Sequence, residues 1–356
     1  MVDNAVLMVM AIVAFFSSLE VLGGYLQHSI RSKDDWIQEV LSAVLLSVVF
    51  KPCIVGGVVI TGTILLPEYQ MLWSNWVFGY LCLLYLMVDD IMQYFYHRYA
   101  HRHPFFWKLH RPHHQAEEMG FFVSYRNAAL YYWLMPNAWW LGVFTFLFGG
   151  AAAALGLVLK QVIVISSHSH FAWDKLFYIN PWLRPIIKIL ERIIVTPAFH
   201  HAHHGQSQLD GSDPNANFGN MFSIWDQLFG TAHFTHHFPS AYGLPNNSED
   251  SWQSAYLYPL IHSKDPKSEI SITFNKKNTS TNTPIFLDLK QGDSYLWCRC
   301  GKSKTQPFCD ASHHGTQYKP VLFEVQKDAS ILICNCKYTK SAPFCDNSHL
   351  QIKEIK

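Results

Sequence analysis

Long uncharged stretches alternate with short polar ones over the first three quarters of the chain. Between Glu68 and Asp89 every position from Tyr69 to Val88 is uncharged. At 1.5 Å per residue that run crosses about 30 Å of hydrocarbon, which predicts a membrane-spanning helix. Ala5 to Leu19, closed by Glu20, predicts another, and the Met1-Val-Asp-Asn start lacks the basic region of a secretory signal, so this run reads as a retained anchor. Val40 to Leu66, broken at Lys51-Pro52, predicts a bent or paired span. Asn127 to Leu159 is too long for one crossing at ordinary tilt and is interrupted at Gly149-Gly150, which predicts a two-helix hairpin entering and leaving on one side. The expected total is four to six spans or re-entrant segments.

Basic residues gather where the hairpin leaves and returns: Arg98, Arg102, Lys108, Arg111 and Arg126 before it, Lys175, Arg184, Lys188 and Arg192 after it. By the positive-inside rule that face is cytoplasmic. Only 15% of residues are charged, against about 25% in ordinary soluble domains, while 49% are apolar, which excludes a disordered chain. A formal net charge of +1 offers no field for phosphate, so no nucleic-acid partner is expected. Charge and cysteine concentrate at the C-terminal end: residues 262–356 hold 14 Lys and Arg against 9 acids, and six of the eight cysteines. The polar stretch from Asn275 to Pro284 reads as a linker. The expected organisation is a membrane-embedded domain over 1–262, a linker over 263–283 and a small domain over 284–356.

The chain has 20 histidines, and many are clustered. His97 and His101 lie four apart. His110, His113 and His114 form an H-x-x-H-H array, which His200, His203 and His204 repeat. Helical i, i+3 and i+4 spacing aims several imidazoles at one point, and a neutral imidazole gives one nitrogen to a metal. His168 and His170, at the exit of the hairpin, add one or two more donors. Eight to ten ligands exceed the need of one ion, so two ions are expected, with iron, zinc, copper or nickel open on ligand chemistry alone. Pro112 disfavours a helical Arg111 and places His110 ahead of a helix start. Asp89 and Asp90 either orient ligand histidines or end the preceding span, and Asp226 is a further candidate for the orienting role.

The segments HRYAH, HRPHH and HHAHH resemble the eight-histidine pattern of the fatty acid hydroxylase and sterol desaturase superfamily of integral-membrane di-iron enzymes. The flanks are similar too: Asp-Asp-x-x-x-Tyr before the first motif, Thr196-Pro197-Ala198-Phe199 before the third, and Asn217-Phe218-Gly219 through Thr231 after it. The resemblance spans roughly residues 69–232. It implies a di-iron centre held by His97, His101, His110, His113, His114, His200, His203 and His204, with O2 as oxidant and a lipid C–H bond as target. His168 corresponds to an additional family histidine, whereas His170 stands where relatives carry another polar residue.

Cys298-x-Cys300-x8-Cys309-x3-His313 recurs as Cys334-x-Cys336-x8-Cys345-x3-His349, displaced by 36 residues at every position. Identical internal spacing marks a repeat. Three cysteines and one histidine per copy suit zinc as well as iron. The segments CDASH and CDNSH resemble the CDGSH iron–sulfur domain, with Ala311 and Asn347 in place of its glycine. That resemblance implies one [2Fe–2S] cluster per copy, held by three thiolates and one imidazole, hence two clusters per chain.

The fold expected is mainly α: an integral-membrane helical bundle with a cytosolic histidine-rich cap and a small β-rich iron–sulfur domain. The function expected is O2-dependent hydroxylation or desaturation of a sterol, fatty acyl or related lipid, with an upstream reductase as partner and the cysteine-rich domain as electron donor or relay. A membrane-anchored iron–sulfur carrier or sensor and a pterin-dependent ether-lipid monooxygenase are the alternatives.

Overall fold

The computed structural model describes residues 2–25, 27–206, 212–244, 248, 250–265, 284–310, 312–313, 318–346 and 348. The chain divides into two compact units, Met1–Ser271 and Ile272–Lys356. The first is helical: α1 (Val2–Leu22), α2 (Lys33–Leu45), α3 (Lys51–Leu65), α4 (Phe78–Ala100), α5 (Pro104–His114), α6 (Ala129–Leu134), α7 (Pro136–Phe148), α8 (Gly150–His168), α9 (Lys175–Ile179), α10 (Arg184–Leu190), α11 (Pro197–His204), α12 (Ile224–Leu228) and α13 (Trp252–Tyr256). The polar stretch expected as a linker falls largely outside the described residues.

Among the described residues two helical segments are long and apolar enough to cross a membrane, Lys33–Leu65 and Gly150–His168, with Ala11–Leu22 as a shorter apolar helix. The first is one segment and not a pair. A π-helical turn, Leu46–Phe50, joins α2 to α3, with Lys51 N–H donating to Leu46 O. The wider turn lets the helix continue into Pro52, which has no N–H to give.

The expected span over 69–88 begins later than its composition suggests. Pro67–Tyr69 is a 3-10 turn, and helix starts only at Phe78. The intervening backbone serves α7 instead: Met71 N donates to Phe146 O at 2.8 Å and Trp73 N to Leu147 O at 3.2 Å. Both carbonyls belong to the last turn of α7 and have no partner within their own helix. The hairpin over 127–159 has the turn expected of it, since Gly149 ends α7 with φ +84. Close helix packing rests on glycines: a Cβ on Gly142 would meet Val58 at 2.8 Å, and one on Gly62 would meet Phe146 at 2.9 Å, so both positions need glycine for α3 and α7 to approach this closely.

Two of the basic residues assigned to the cytoplasmic face are interior. Arg111 pairs with Asp250 at 2.6 Å, and Arg126 pairs with Asp35 and with Glu39 at 3.3 Å; both guanidinium groups are buried. Their charge is spent inside the protein and gives no orientation signal.

The second unit contains β1 (Ile285–Leu289), β2 (Ser294–Trp297), β3 (Val321–Glu324) and β4 (Ala329–Ile333). β1 pairs antiparallel with β4, from Ile285 opposite Ile333 to Leu289 opposite Ala329, and β2 with β3, from Ser294 opposite Glu324 to Trp297 opposite Val321. β1 and β2 belong to the first repeat, β3 and β4 to the second. Each two-stranded sheet is therefore shared between repeats, and Leu289, Trp297, Val325 and Ile333 form one core.

Candidate metal centres

Four helices deliver nine histidines to one buried region. α4 and the residue after it carry His97 and His101, α5 carries His110, His113 and His114, α8 ends on His168, and α11 carries His200, His203 and His204. Pro112 lies inside α5, with Pro104 at its start, so His110 sits within the helix and not ahead of it. α11 is fixed by its own N-terminus: the Thr196 hydroxyl accepts from Phe199 N at 3.4 Å, Pro197 occupies the first turn, and Asp174 Oδ2 accepts from Ala198 N at 2.8 Å.

The rings sort into two groups, His97, His101, His110, His114 and His203, and His113, His168, His200 and His204. Within each group the nitrogens lie within 4.8 Å of one another. The sorting follows helix geometry: residues four apart share a group, as His97 with His101, His110 with His114 and His200 with His204, while adjacent residues, about 100° apart around the axis, are split. The i, i+3 pairs expected to converge, His110 with His113 and His200 with His203, separate.

These residues fit metal ions. His97 Nε2 is 3.1 Å from His203 Nε2, His200 Nε2 is 2.9 Å from His168 Nε2 and 3.1 Å from His204 Nε2, and His168 Nε2 is 3.4 Å from His113 Nε2. Ligand bonds of about 2.0–2.1 Å at right-angled to tetrahedral openings put neighbouring nitrogens about 2.9–3.4 Å apart. Five rings use Nδ1 elsewhere: His97 on Phe218 O (2.9 Å), His113 on Val123 O (2.8 Å), His168 on Val164 O (2.7 Å), His203 on Ala216 O (2.7 Å) and His110 on Asn127 Oδ1 (2.7 Å). Donation from Nδ1 leaves the Nε2 lone pair directed inward. Both nitrogens of His101, and Nε2 of His110 and His114, are buried without a hydrogen-bond partner, which a metal would provide. Burial holds the His110, His113, His114, His200, His203 and His204 imidazoles well below the ordinary range, so they stay neutral and competent as ligands.

His170 joins neither group. Its ring stacks on Tyr25 at 3.9 Å between centroids, with Nδ1 3.3 Å from Met119 O. His201 turns away to the Tyr242 hydroxyl at 2.8 Å.

The three aspartates hold structure around the rings without touching one. Asp90 accepts from Met221 N, Phe222 N and Trp225 Nε1 at 2.9, 2.9 and 3.1 Å. Asp89 pairs with Lys160 and accepts from the Tyr85 hydroxyl at 3.3 Å. Asp226 accepts from Phe218 N and Gly219 N, both at 2.8 Å, and from Thr231 Oγ1 at 2.7 Å. It thereby fixes the peptide whose carbonyl receives His97 Nδ1. The orienting groups that sequence reading missed are four backbone carbonyls, which no side chain signals, and Asn127, the first residue of an uncharged run. A cavity of about 90 Å³ lies against His97, His110, His113, His168 and His200, with Leu46, Met135, Leu141 and Leu157 among its apolar walls.

In the second unit the two repeats share local distances. Cys298 and Cys300 Sγ are 3.7 Å apart, and Cys334 and Cys336 Sγ 3.5 Å. Cys309 Sγ lies 3.1 Å from His313 Nδ1. Asp310 Oδ2 accepts from Lys304 N and Asp346 Oδ2 from Lys340 N, each at 2.8 Å, so the same carboxylate shapes both loops. His349 lies outside the described residues. Thiols paired within 4 Å, with a third beside an imidazole in the first repeat, suit a soft metal or an iron–sulfur cluster.

Residues 82–231 match the family model "Fatty acid hydroxylase", and residues 269–314 match "Iron-binding zinc finger CDGSH type". Along the chain a fatty acid hydroxylase match is thus followed by a CDGSH match. Alkylglycerol monooxygenase of Caenorhabditis elegans is 27% identical over 201 residues, 53% of this chain and 35% of that protein. Ornithine lipid hydroxylase OlsE of Rhizobium tropici is 27% identical over 182 residues, 47% of this chain and 46% of that protein. For the CDGSH part, the mitochondrial CDGSH iron-sulfur domain-containing protein 3 of Mus musculus is 55% identical over 38 residues, 11% of this chain and 28% of that protein. The chain thus spans less than half the length of each of these relatives. The hydroxylase match contains all nine clustered histidines, and the CDGSH match ends just after the first repeat's His313.

Proposed function

We propose that this chain is a membrane-bound, O2-dependent lipid oxidoreductase whose two histidine groups hold two iron ions and whose repeats each hold a [2Fe–2S] cluster. The observation that carries the reading is the convergence of nine buried histidines in two groups, five of them on the wall of a cavity lined partly by apolar side chains. When bound, iron supplies the O2-activating chemistry that no side chain offers. The residues contribute holding and shielding. Nδ1 bonds fix the tautomers, burial keeps the imidazoles neutral, and the apolar part of the cavity wall suits an alkyl chain.

Hydroxylation consumes RH, O2, two electrons and two protons and yields ROH and H2O. A [2Fe–2S] cluster passes one electron at a time, so a two-cluster domain in the same chain matches the count. We therefore read the CDGSH domain as donor or relay, fed by an upstream reductase, with O2 as cosubstrate and the basic loops facing the cytoplasm. Similarity to alkylglycerol monooxygenase favours an ether lipid as a second substrate class beside fatty acyl and sterol lipids.

The test is turnover of the full chain in lipid nanodiscs under 18O2, with a lipid extract, an alkylglycerol and a fatty acid supplied in parallel. The reading expects one labelled oxygen in a lipid product, lost in His203→Ala. It also expects turnover to fail in a Cys300→Ser/Cys336→Ser double variant supplied with the reductase. Labelled product formed equally well by that double variant would remove the relay role. No labelled lipid from an iron-replete chain would remove the hydroxylase reading, and no oxidised lipid of any kind would remove the oxidoreductase reading.

A further inference from the structure

The two repeats share their cysteine and histidine spacing but differ in the residues beside the cysteines. Gly301 follows the second cysteine of the first repeat, and its counterpart 36 residues on is Lys337. Both sit in the left-handed region, Gly301 at φ +73 and Lys337 at φ +68. Glycine adopts that conformation without cost, whereas lysine does not, so the second repeat holds a side chain in strained backbone where the first has none. The partner position differs as well. Trp297 of the first repeat corresponds to Ile333 of the second. Lys337 Nζ lies 4.8 Å from the Trp297 ring centroid, and Trp297 Nε1 donates to Cys334 O at 2.6 Å.

Lys337 is thus a second-repeat residue docked on a first-repeat ring that is itself bonded to the second repeat. Its ammonium nitrogen is buried and makes no hydrogen bond. Lys337 directly follows Cys336, and the ring it lies against belongs to Trp297, which directly precedes Cys298, so the nitrogen is held beside ligand segments of both repeats. A buried charge without a partner is costly, and the neighbours able to compensate it are two sets of thiolates.

We propose that Lys337 is a shared cation between the two cluster sites that raises both reduction potentials and couples the clusters into one electrostatic unit. Reduction adds negative charge to each cluster, and a fixed positive charge between them favours that state at both. The inference rests on the iron–sulfur reading above and extends it to the second repeat, which the CDGSH family match does not reach.

The experiment is an anaerobic redox titration of the full chain by absorbance and EPR, with iron and acid-labile sulfide counted beforehand. Lys337→Met removes the charge, Lys337→Gly reproduces the first repeat's residue and relieves the strain, and Lys337→Arg keeps the charge. With sulfide unchanged, both midpoints are expected to fall in the Met and Gly variants. The expected extent is on the order of a tenfold loss of reduced cluster at a fixed ambient potential, which is about 59 mV for a one-electron couple. Arg is expected to restore them. Should Met fail to assemble clusters, Gly carries the measurement. Unchanged potentials in a cluster-replete Gly variant would overturn the proposal, as would a shift at one cluster alone. Absence of sulfide from the wild-type chain would remove the iron–sulfur reading itself. Shifted potentials with undiminished turnover would leave Lys337 standing and remove the relay.

Discussion

Asn127 gives a sharp test of the histidine site, because its side chain holds a candidate ligand ring at short hydrogen-bond distance. Its Oδ1 receives His110 Nδ1 at 2.7 Å, it is 4% exposed, and its Nδ2 lies at the edge of bonding distance from the Tyr132 hydroxyl at 3.5 Å. Asn127→Ala leaves His110 Nδ1 buried without an acceptor and frees the ring to choose the other tautomer, which would aim a protonated nitrogen at the metal position. Loss of such an orienting partner lowers metal affinity about 10–100-fold, or about 1.4–2.7 kcal/mol, and the unmade bond costs about 1–3 kcal/mol of folding stability. Asn127→Asp keeps an acceptor at the same place and is expected to retain iron. The assay is chelator titration of the full chain, with cluster iron subtracted from the acid-labile sulfide count. If Asn127→Ala is destabilised yet surrenders histidine-bound iron at the same chelator concentration as wild type, then the bond serves packing alone and the tautomer argument fails.

Two further perturbations have worked signs. Burial raises the Asp174 carboxyl from the ordinary 3.8 to about 6, so between those values the folded state holds a proton that the unfolded chain has released. Stability is therefore fully present below 3.8 and falls by about 1.4 kcal/mol per pH unit until about 6, a slope that Asp174→Asn should abolish in urea melts taken from pH 4 to 7. Lys160 is buried against Asp89 and lies 3.5 Å from Asp90, so Lys160→Met strands carboxylates and should cost about 3–5 kcal/mol in detergent unfolding. Lys160→Met/Asp89→Leu should recover part of that loss.

Periodic features were legible in the chain itself. The 36-residue repeat, the turn at Gly149 and the histidine clusters all depend on local spacing, and the structure keeps them. What could not be read depends on distant partners. Residues 69–76 are uncharged and look like membrane span, yet their backbone is taken by the end of α7, some seventy residues away. Arg126 looks like a surface cation until Glu39 is brought beside it, and Asp89 looks like a span terminus until Lys160 of α8 reaches it. Hydropathy and charge counts assign each residue by itself, whereas these are properties of pairs.

The division of the histidines into groups carries the last consequence. Because neighbours on a helix separate by about 100°, α5 and α11 each serve both groups, but an i, i+4 pair serves only one. Replacing His200 and His204 by alanine removes two of the four rings of one group and none of the five of the other. If the groups bind separate ions, histidine-bound iron should fall from two per chain to one, and the remaining five-ring group should hold it under chelator as firmly as before. Single replacement of His203, adjacent in sequence to His204, should weaken the other ion instead. Loss of both irons in the double variant, with the fold intact by circular dichroism, would show that the nine imidazoles act as one cooperative site and that the helical sorting does not govern occupancy.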